Sequence, residues 1–249
     1  MTPTFTIAVP TIGRETLVHT LDSIARQRLL PGDRVVVVLD TYQEPPRPDV
    51  ADLVAFYGFE LRAHNGGTHF YGNPQLNHAI LLAQHEFRTD YFCALGDDDV
   101  YVDGAIERLR AKLKPGRATL FQFYAPPYLV PDNPRRFILW ADRRLRVANI
   151  SGCCLAAPTS DLTLVPSDRR CEVDFEWIRA TLDRTGQPPR WLKDVLVIAR
   201  PEFRDGLPVH QGVSICPGCG YVGFTEDFSD RLCRECAPTV IRELLETSA

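Results

Sequence analysis

The chain is expected to fold as an α/β domain on a mostly parallel sheet with helices on both faces, followed by a small cysteine-rich appendage. Three observations predict this. Apolar runs of strand length alternate with helix-period segments through the first half. Residues 35–39 form a continuous β-branched run, as a parallel strand buried on both faces requires. After about Val213 the composition changes, and four of the eight cysteines fall there in two C-x2-C pairs.

The elements follow in order. Residues 4–9 read as a strand ending at Pro10, and 15–28 as a helix with Leu17, Leu21 and Ile24 at helical spacing. Pro31-Gly32-Asp33 breaks it before the 35–39 strand. A proline-rich loop leads to a helix over 49–57 and a weaker strand over 60–63. Asn73-Pro74 has the cap-then-proline signature of a helix start, so 73–85 is helical. Residues 91–95 form the next strand, ending at Gly96 and three aspartates, and 104–113 the next helix. The second half is less regular, with strands at 118–123, 137–140, 153–157 and 195–199 and a helix at 173–185 closed by Gly186.

Bulk properties limit the function classes. The 249 residues, 45% hydrophobic and 24% charged, suit one domain over 1–212 and an appendage over 213–249. A net charge of −4 argues against nucleic-acid binding by bulk charge. A local basic stretch does exist, with Arg135, Arg136, Arg143, Arg144 and Arg146. It reads either as a solvated surface or as a face for an anionic acceptor. No apolar run approaches the ~20 residues that span a bilayer. Residues 1–5 lack the basic start and apolar stretch of a signal peptide, so a cytoplasmic location is expected.

Asp97-Asp98-Asp99 follow directly on a buried strand. Adjacent carboxylates repel one another unless a cation balances them, and hard oxygens suit Mg2+ or Mn2+. Such an ion could bridge the phosphates of a nucleotide and stabilise a departing diphosphate. The plainer alternative is an acidic turn capping the next helix.

The order and spacing of several segments resemble the family-2 glycosyltransferases and their relatives with the GT-A fold. The resemblance is carried by Val9-Pro10-Thr11-Ile12-Gly13-Arg14, then Leu21-Asp22-Ser23-Ile24, the 35–39 strand with Asp40, Asn77 before Ala79-Ile80, and the aspartates as a D-x-D motif. It covers residues 4–102 well and the rest loosely. It implies that Thr11, Arg14 and Asp40 hold the nucleoside, that Asn77 and Asp98 belong to the nucleotide-sugar site, and that Asp97 and Asp99 hold the metal and diphosphate. Thr41-Tyr42 after Asp40 depart from the family pattern, which leaves the nucleobase open, with a UDP-linked donor expected.

An inverting transferase needs a carboxylate base. Cys171-Glu172-Val173-Asp174-Phe175-Glu176 offers acids at a helix start, where the helix dipole also favours them. Asp174 is the candidate and Glu172 its rival, by resemblance to the family's acidic pair. His210, after the last strand, reads either as a late metal ligand or as an ordinary loop histidine. His64 and His69 carry less weight, and His78 reads as helix surface.

Cys216-Pro217-Gly218-Cys219 and Cys233-Arg234-Glu235-Cys236 are two knuckles of the spacing that closes a tetrahedral structural Zn2+ site. Cys93, Cys153, Cys154 and Cys171 lack such spacing and read as packing residues. The acidic tail is unsuited to phosphate and reads as a lid, a docking surface or a homodimer contact.

The leading reading is a divalent-metal-dependent glycosyltransferase that moves a sugar to an acceptor hydroxyl with inversion. The acceptor is open among glycan, lipid, protein and modified DNA base. A sugar-phosphate nucleotidyltransferase and a non-catalytic scaffold on the same fold are the alternatives.

Overall fold

Four short parallel strands begin the sheet, apolar runs except for the half-exposed β3: β1 (Phe5–Thr11), β2 (Arg34–Asp40), β3 (Glu60–His64) and β4 (Tyr91–Ala94). The computed structural model describes residues 2–42, 49–65, 72–124, 145, 150–166 and 173–201, and the backbone of six short strands between 202 and 233. The helices are α1 (Leu17–Ala25), α2 (Asp49–Phe56), α3 (Asn73–Leu82), α4 (Ala105–Lys112) and α5 (Val173–Thr185). The remaining large-sheet strands are β5 (Asp99–Tyr101), β6 (Thr119–Tyr124), β7 (Leu155–Pro158) and β8 (Arg190–Ala199). Among the described residues no helix is long and apolar enough to cross a membrane.

These strands form one sheet of order β3-β2-β1-β4-β7-β6-β8-β5. β2, β4 and β6 are buried along nearly their whole length, so both faces of the sheet are covered. The parallel expectation holds for β3-β2-β1-β4 and for β6-β8, whereas β7 and β5 run antiparallel to their neighbours. The reversal at β5 has a local cause. The Asp99 amide donates to the Gly96 carbonyl at 3.1 Å, a turn that sends the chain back on itself. In a flat sheet β4 and β5, four strand positions apart, would lie about 19 Å from each other. The turn cannot reach that far, because even a fully extended chain spans only about 3.3–3.6 Å per residue. The sheet must therefore curl, bringing β5 back towards the end of β4.

β5 lies at the sheet's edge, and α1 with the residues just after it covers β5 and the turn that follows with polar side chains three and four residues apart. Thr20 Oγ1 donates to the Asp99 carbonyl at 2.8 Å, and Ser23 Oγ accepts from the Tyr101 amide at 3.1 Å. Gln27 donates to the Val102 carbonyl at 3.2 Å and accepts from the Ile106 amide at 3.2 Å. Buried polar residues on a core-facing helix stripe are thus accounted for: they satisfy an edge strand that would otherwise bury unpaired backbone groups.

A second polar hub joins three elements. Asp33 accepts from the Phe5 amide at 2.9 Å and the Leu30 amide at 2.7 Å, and it pairs with Arg110 of α4. The Arg110 guanidinium also lies over the Phe5 ring, 5.0 Å from its centroid. The Asp33 side chain has no solvent exposure. Removing a buried partner strands the others in low dielectric. Asp33→Ala is expected to lower the unfolding free energy by about 3–5 kcal/mol in urea denaturation, and a loss below about 1 kcal/mol would show that the hub does not hold these elements together.

Candidate active site at the carboxyl edge of the sheet

Topology collects the candidate residues at one edge. β1, β2, β4 and β8 all end there, placing Thr11, Asp40, Asp97 and Arg200 at or just beyond strand ends. The antiparallel strands begin there, which adds Asp99 at the start of β5 and residues 151–154 before β7. Ligands in open α/β sheets bind at this edge.

The three aspartates are compensated separately. Asp97 Oδ2 accepts from Thr11 Oγ1 at 2.7 Å and from the Ile12 amide at 3.4 Å, while its Oδ1 meets Arg14 Nη1 at 3.1 Å. Asp98 Oδ2 receives both Arg14 Nη1 at 2.8 Å and Arg200 Nε at 3.1 Å. Asp99 Oδ1 accepts the Arg200 amide at 3.1 Å. Burial pushes the Asp97 carboxyl up, and Thr11 and Arg14 oppose the shift. Asp99 is pushed up to about 7 by burial and by the Asp98 charge, against the Arg200 amide and guanidinium.

Facing the acids is a cavity of about 400 Å3, lined by Asp98, Asp99, Arg200, Gly152, Cys153 and Asp174 among others. Asp174, in the first turn of α5, accepts from the Gly152 amide at 2.9 Å and from Ser151 Oγ at 3.3 Å. Both contacts fall on Oδ2. The candidate base therefore shares a cavity with the aspartates although 75 or more residues separate them in the chain.

The other candidates fall elsewhere. Asp40 is buried, and its Oδ1 accepts the Tyr42 amide at 2.9 Å, closing a turn at the end of β2. Asn77 spends its side-chain amide on one backbone unit, donating to the Val165 carbonyl at 2.9 Å and accepting the Val165 amide at 2.6 Å. That is a structural clamp, and Asn77 is not among the cavity lining. His78 is half-buried rather than a free helix surface. Its Nδ1 lies 3.0 Å from that of His64, with the rings edge to face, because α3 packs beside β3. Burial, with His64 next, lowers its pKa. Cys93, Cys153 and Cys154 are buried free thiols, all raised by burial, as packing residues are. Glu172, His210, His69, Cys171, Cys216, Cys219 and Cys236 lie outside the described residues, as do the 135–144 arginines, Arg146, the 137–140 strand and the 239–246 helix. Cys233 ends a short backbone strand.

Three site features escaped the sequence reading: Arg200, the Ser151-Gly152 pair and the role of Gly96. The available signal for Arg200 was its place directly after an apolar strand and before Pro201. Its φ of 44° is left-handed, unusual outside glycine, and aims its amide at Asp99.

Among the described residues no group of three or more His, Cys, Asp or Glu side chains is arranged to hold a metal ion. Asp98 and Asp99 nevertheless offer hard oxygens to the cavity. Mg2+ and Mn2+ commonly take one or two carboxylates and complete their shells with water and substrate phosphates, so the donor set fits such an ion.

Gly96 permits the crowding of the acids. A Cβ there would stand 2.9 Å from Asp99 Oδ2 and 3.0 Å from Asp98 Oδ1. Gly96→Ala is expected to displace both carboxylates and cost about 1–3 kcal/mol, read as a lowered thermal midpoint with far-ultraviolet circular dichroism retained. An unchanged midpoint would show that the turn relaxes around the methyl group.

No family model and no curated protein matches the sequence. Solved structures do match the fold. S. aureus TarS 1-349 in complex with UDP-GlcNAc is 17% identical with a TM-score of 0.60, covering 82% of this chain and 60% of that one. The longer S. aureus TarS structure is 17% identical with a TM-score of 0.58, covering 79% and 36%. The mannosyltransferase PcManGT from Pyrobaculum calidifontis, in complex with GDP-Man and Mn2+, is 17% identical with a TM-score of 0.53, covering 82% and 59%. The chain thus spans between about a third and three-fifths of their lengths. What it shares with these structures is the fold.

Proposed function

We propose that the chain transfers a sugar from a nucleoside-diphosphate donor to an acceptor hydroxyl, with inversion. The observation that carries this reading is that Asp98, Asp99, Arg200 and Asp174 line one cavity. Such a cavity offers one wall for a diphosphate and another for a base. The complexes of the structural neighbours with UDP-GlcNAc and GDP-Man support the donor class. By the resemblance of their segments to the family-2 glycosyltransferases, Thr11, Arg14 and Asp40, at adjoining strand ends, serve the nucleoside.

In this reading the acceptor oxygen attacks the anomeric carbon from the face opposite the diphosphate. The new C–O bond forms as the bond to the phosphate oxygen breaks, and its electron pair leaves with the diphosphate. The hydroxyl proton passes to Asp174, whose Oδ2 is fixed by Gly152 and Ser151 while Oδ1 has no hydrogen-bond partner among the described residues. Asp98 and Asp99, which line the cavity, would hold a divalent cation; Asp97, expected with Asp99 as a metal ligand, is not in that lining and instead keeps Thr11 and Arg14 in place. That ion, when bound, supplies Lewis-acid neutralisation of the departing charge. The mannosyltransferase neighbour, solved with Mn2+, supports this part.

The nucleotidyltransferase alternative needs a loop with free amides for phosphate. Here the turn after β1 uses its amides internally: Gly13 donates to Thr11 Oγ1 at 2.8 Å and Ile12 to Asp97. That favours the transferase.

We likewise propose that the appendage holds one structural Zn2+. Cys216 and Cys219 fall in the connection of one hairpin, Val213–Ile215 with Val222–Phe224. Cys233 ends a second, Phe228–Ser229 with Leu232–Cys233. Paired knuckles on hairpins are the frame of a four-thiolate Zn2+ site.

Two measurements test these readings. Asp174→Asn is expected to retain Mn2+-dependent binding of UDP or GDP while sugar transfer or donor hydrolysis falls by roughly 10²–10⁴-fold. Near-normal turnover would remove Asp174 from the mechanism, and no Mn2+-dependent nucleotide binding by the unaltered protein would remove the transferase reading. Elemental analysis of the purified chain is expected to find one zinc per chain, lost in a Cys219→Ser, Cys236→Ser variant; metal-free, folded protein would exclude the zinc site.

A further inference from the structure

A strap of chain, residues 159–165, is bonded to both α3 and α5. On the α3 side Asn77 accepts the Val165 amide at 2.6 Å and donates to its carbonyl at 2.9 Å. Gln84, in the turn that continues α3 (Ala83–Phe87), donates to the carbonyls of Thr159 at 3.1 Å and Leu162 at 3.2 Å. On the α5 side Trp177 Nε1 donates to the Thr163 carbonyl at 2.9 Å. Thr181 Oγ1 lies 3.0 Å from Thr163 Oγ1, and Arg184 donates to the Leu162 carbonyl at 3.2 Å. Trp177, Thr181 and Arg184 are four and three residues apart, so they form one stripe of α5. Asp174 continues that stripe, three residues before Trp177.

The strap thus joins two helices whose first turns both line the cavity, α3 with Asn73 and Leu76 and α5 with Asp174. A second link runs through Trp177, which is fully buried. A Cβ on Gly152 would stand 3.5 Å from its ring, and the Gly152 amide donates to Asp174. Whatever fixes the strap therefore fixes the candidate base against the rest of the cavity.

We propose that Asn77 is a positioning residue for proton transfer: through Val165 and the strap it sets where the Asp174 carboxylate stands. The inference rests on Asp174 being the base, as proposed above, and adds to it the residue that places it. Asn77 is not in the cavity lining, so it acts only through others. The groups that hold Asp97, Asp98 and Asp99 lie elsewhere, on Thr11, Arg14 and Arg200. Loosening the strap therefore disturbs the base and leaves the donor's diphosphate contacts in place. Misplacing an aligned group by about 1 Å can cost up to about 10²-fold in rate.

The test uses the full chain, with UDP-GlcNAc and GDP-Man as donors and water as acceptor. Donor hydrolysis is measured beside UDP and GDP binding at saturating Mn2+. Asn77→Leu removes both bonds to Val165. Hydrolysis at saturating donor is expected to fall about 10- to 100-fold, with nucleotide affinity changed by less than about twofold. Asn77→Asp keeps an acceptor for the Val165 amide, should lose less, and carries the test if the leucine variant does not fold. The deciding measurement is the cycle with Asp174→Asn. With the base removed there is nothing left to place, so adding the Asn77 substitution is expected to cost less than about twofold. An equal fall in both backgrounds, nucleotide affinity that falls along with turnover, or unchanged turnover in both Asn77 variants overturns the positioning role, because a merely structural clamp gives one of these. Normal turnover in Asp174→Asn alone removes the base, and this inference with it. Absence of Mn2+-dependent nucleotide binding in the unaltered protein removes the donor site itself.

Discussion

Three neighbouring carboxylates repel one another, and much of the molecule is arranged to keep them together. Asp97 is bonded by Thr11 and Arg14, Asp98 by two arginines, and Asp99 by a backbone amide. Beneath them the Asp99 carbonyl is held by Thr20 and the next residues by Ser23 and Gln27. Gly96 leaves the space in which two of the carboxylates meet. Burial and the Asp98 charge still hold the Asp99 carboxyl near 7, so the compensation is partial. Partial compensation is what the proposed cation site would require, because a fully neutralised cluster would have little left to offer a further cation.

The same constraint explains the irregular half of the sheet. A turn directly after β4 reverses the chain into β5, and the sheet must curl for β5 to find β8. The curl brings the start of β7 and the N-terminus of α5 around to the acids. Gly152 and Asp174, bonded to each other at 2.9 Å, then line the same cavity as Asp98 and Asp99. The site is made by the antiparallel strands as much as by the parallel ones: parallel strands bring their ends to the edge, and antiparallel strands bring their beginnings.

The sequence made most elements legible because their signals are local. The valine run of β2, the Asn73-Pro74 start of α3 and the Gly186 stop of α5 each fix a boundary within a few residues. β5 was missed because three residues after a turn have no periodicity to read. Asn77 belonged to the expected donor site by motif, yet its amide is used by Val165, 88 residues away. His78 looked exposed because its partner, His64, belongs to a strand whose packing against α3 leaves no trace in helix periodicity.

What the sequence by itself determined was the kind of groups available and where strands end: acids after β4, Thr11 and Arg14 after β1, an acid at the head of α5, paired cysteines in the tail. Those are one-dimensional facts, set by hydrophobic period and by the residues that interrupt it. Only the tertiary structure decided which groups meet. Arg200 reaches Asp98 and Asp99 across about a hundred residues of chain, and Asp174 reaches the cavity through Gly152. Such meetings depend on the order and direction of strands in a curled sheet, and strand order is settled by side chains packing from all over the chain rather than by any local run of residues.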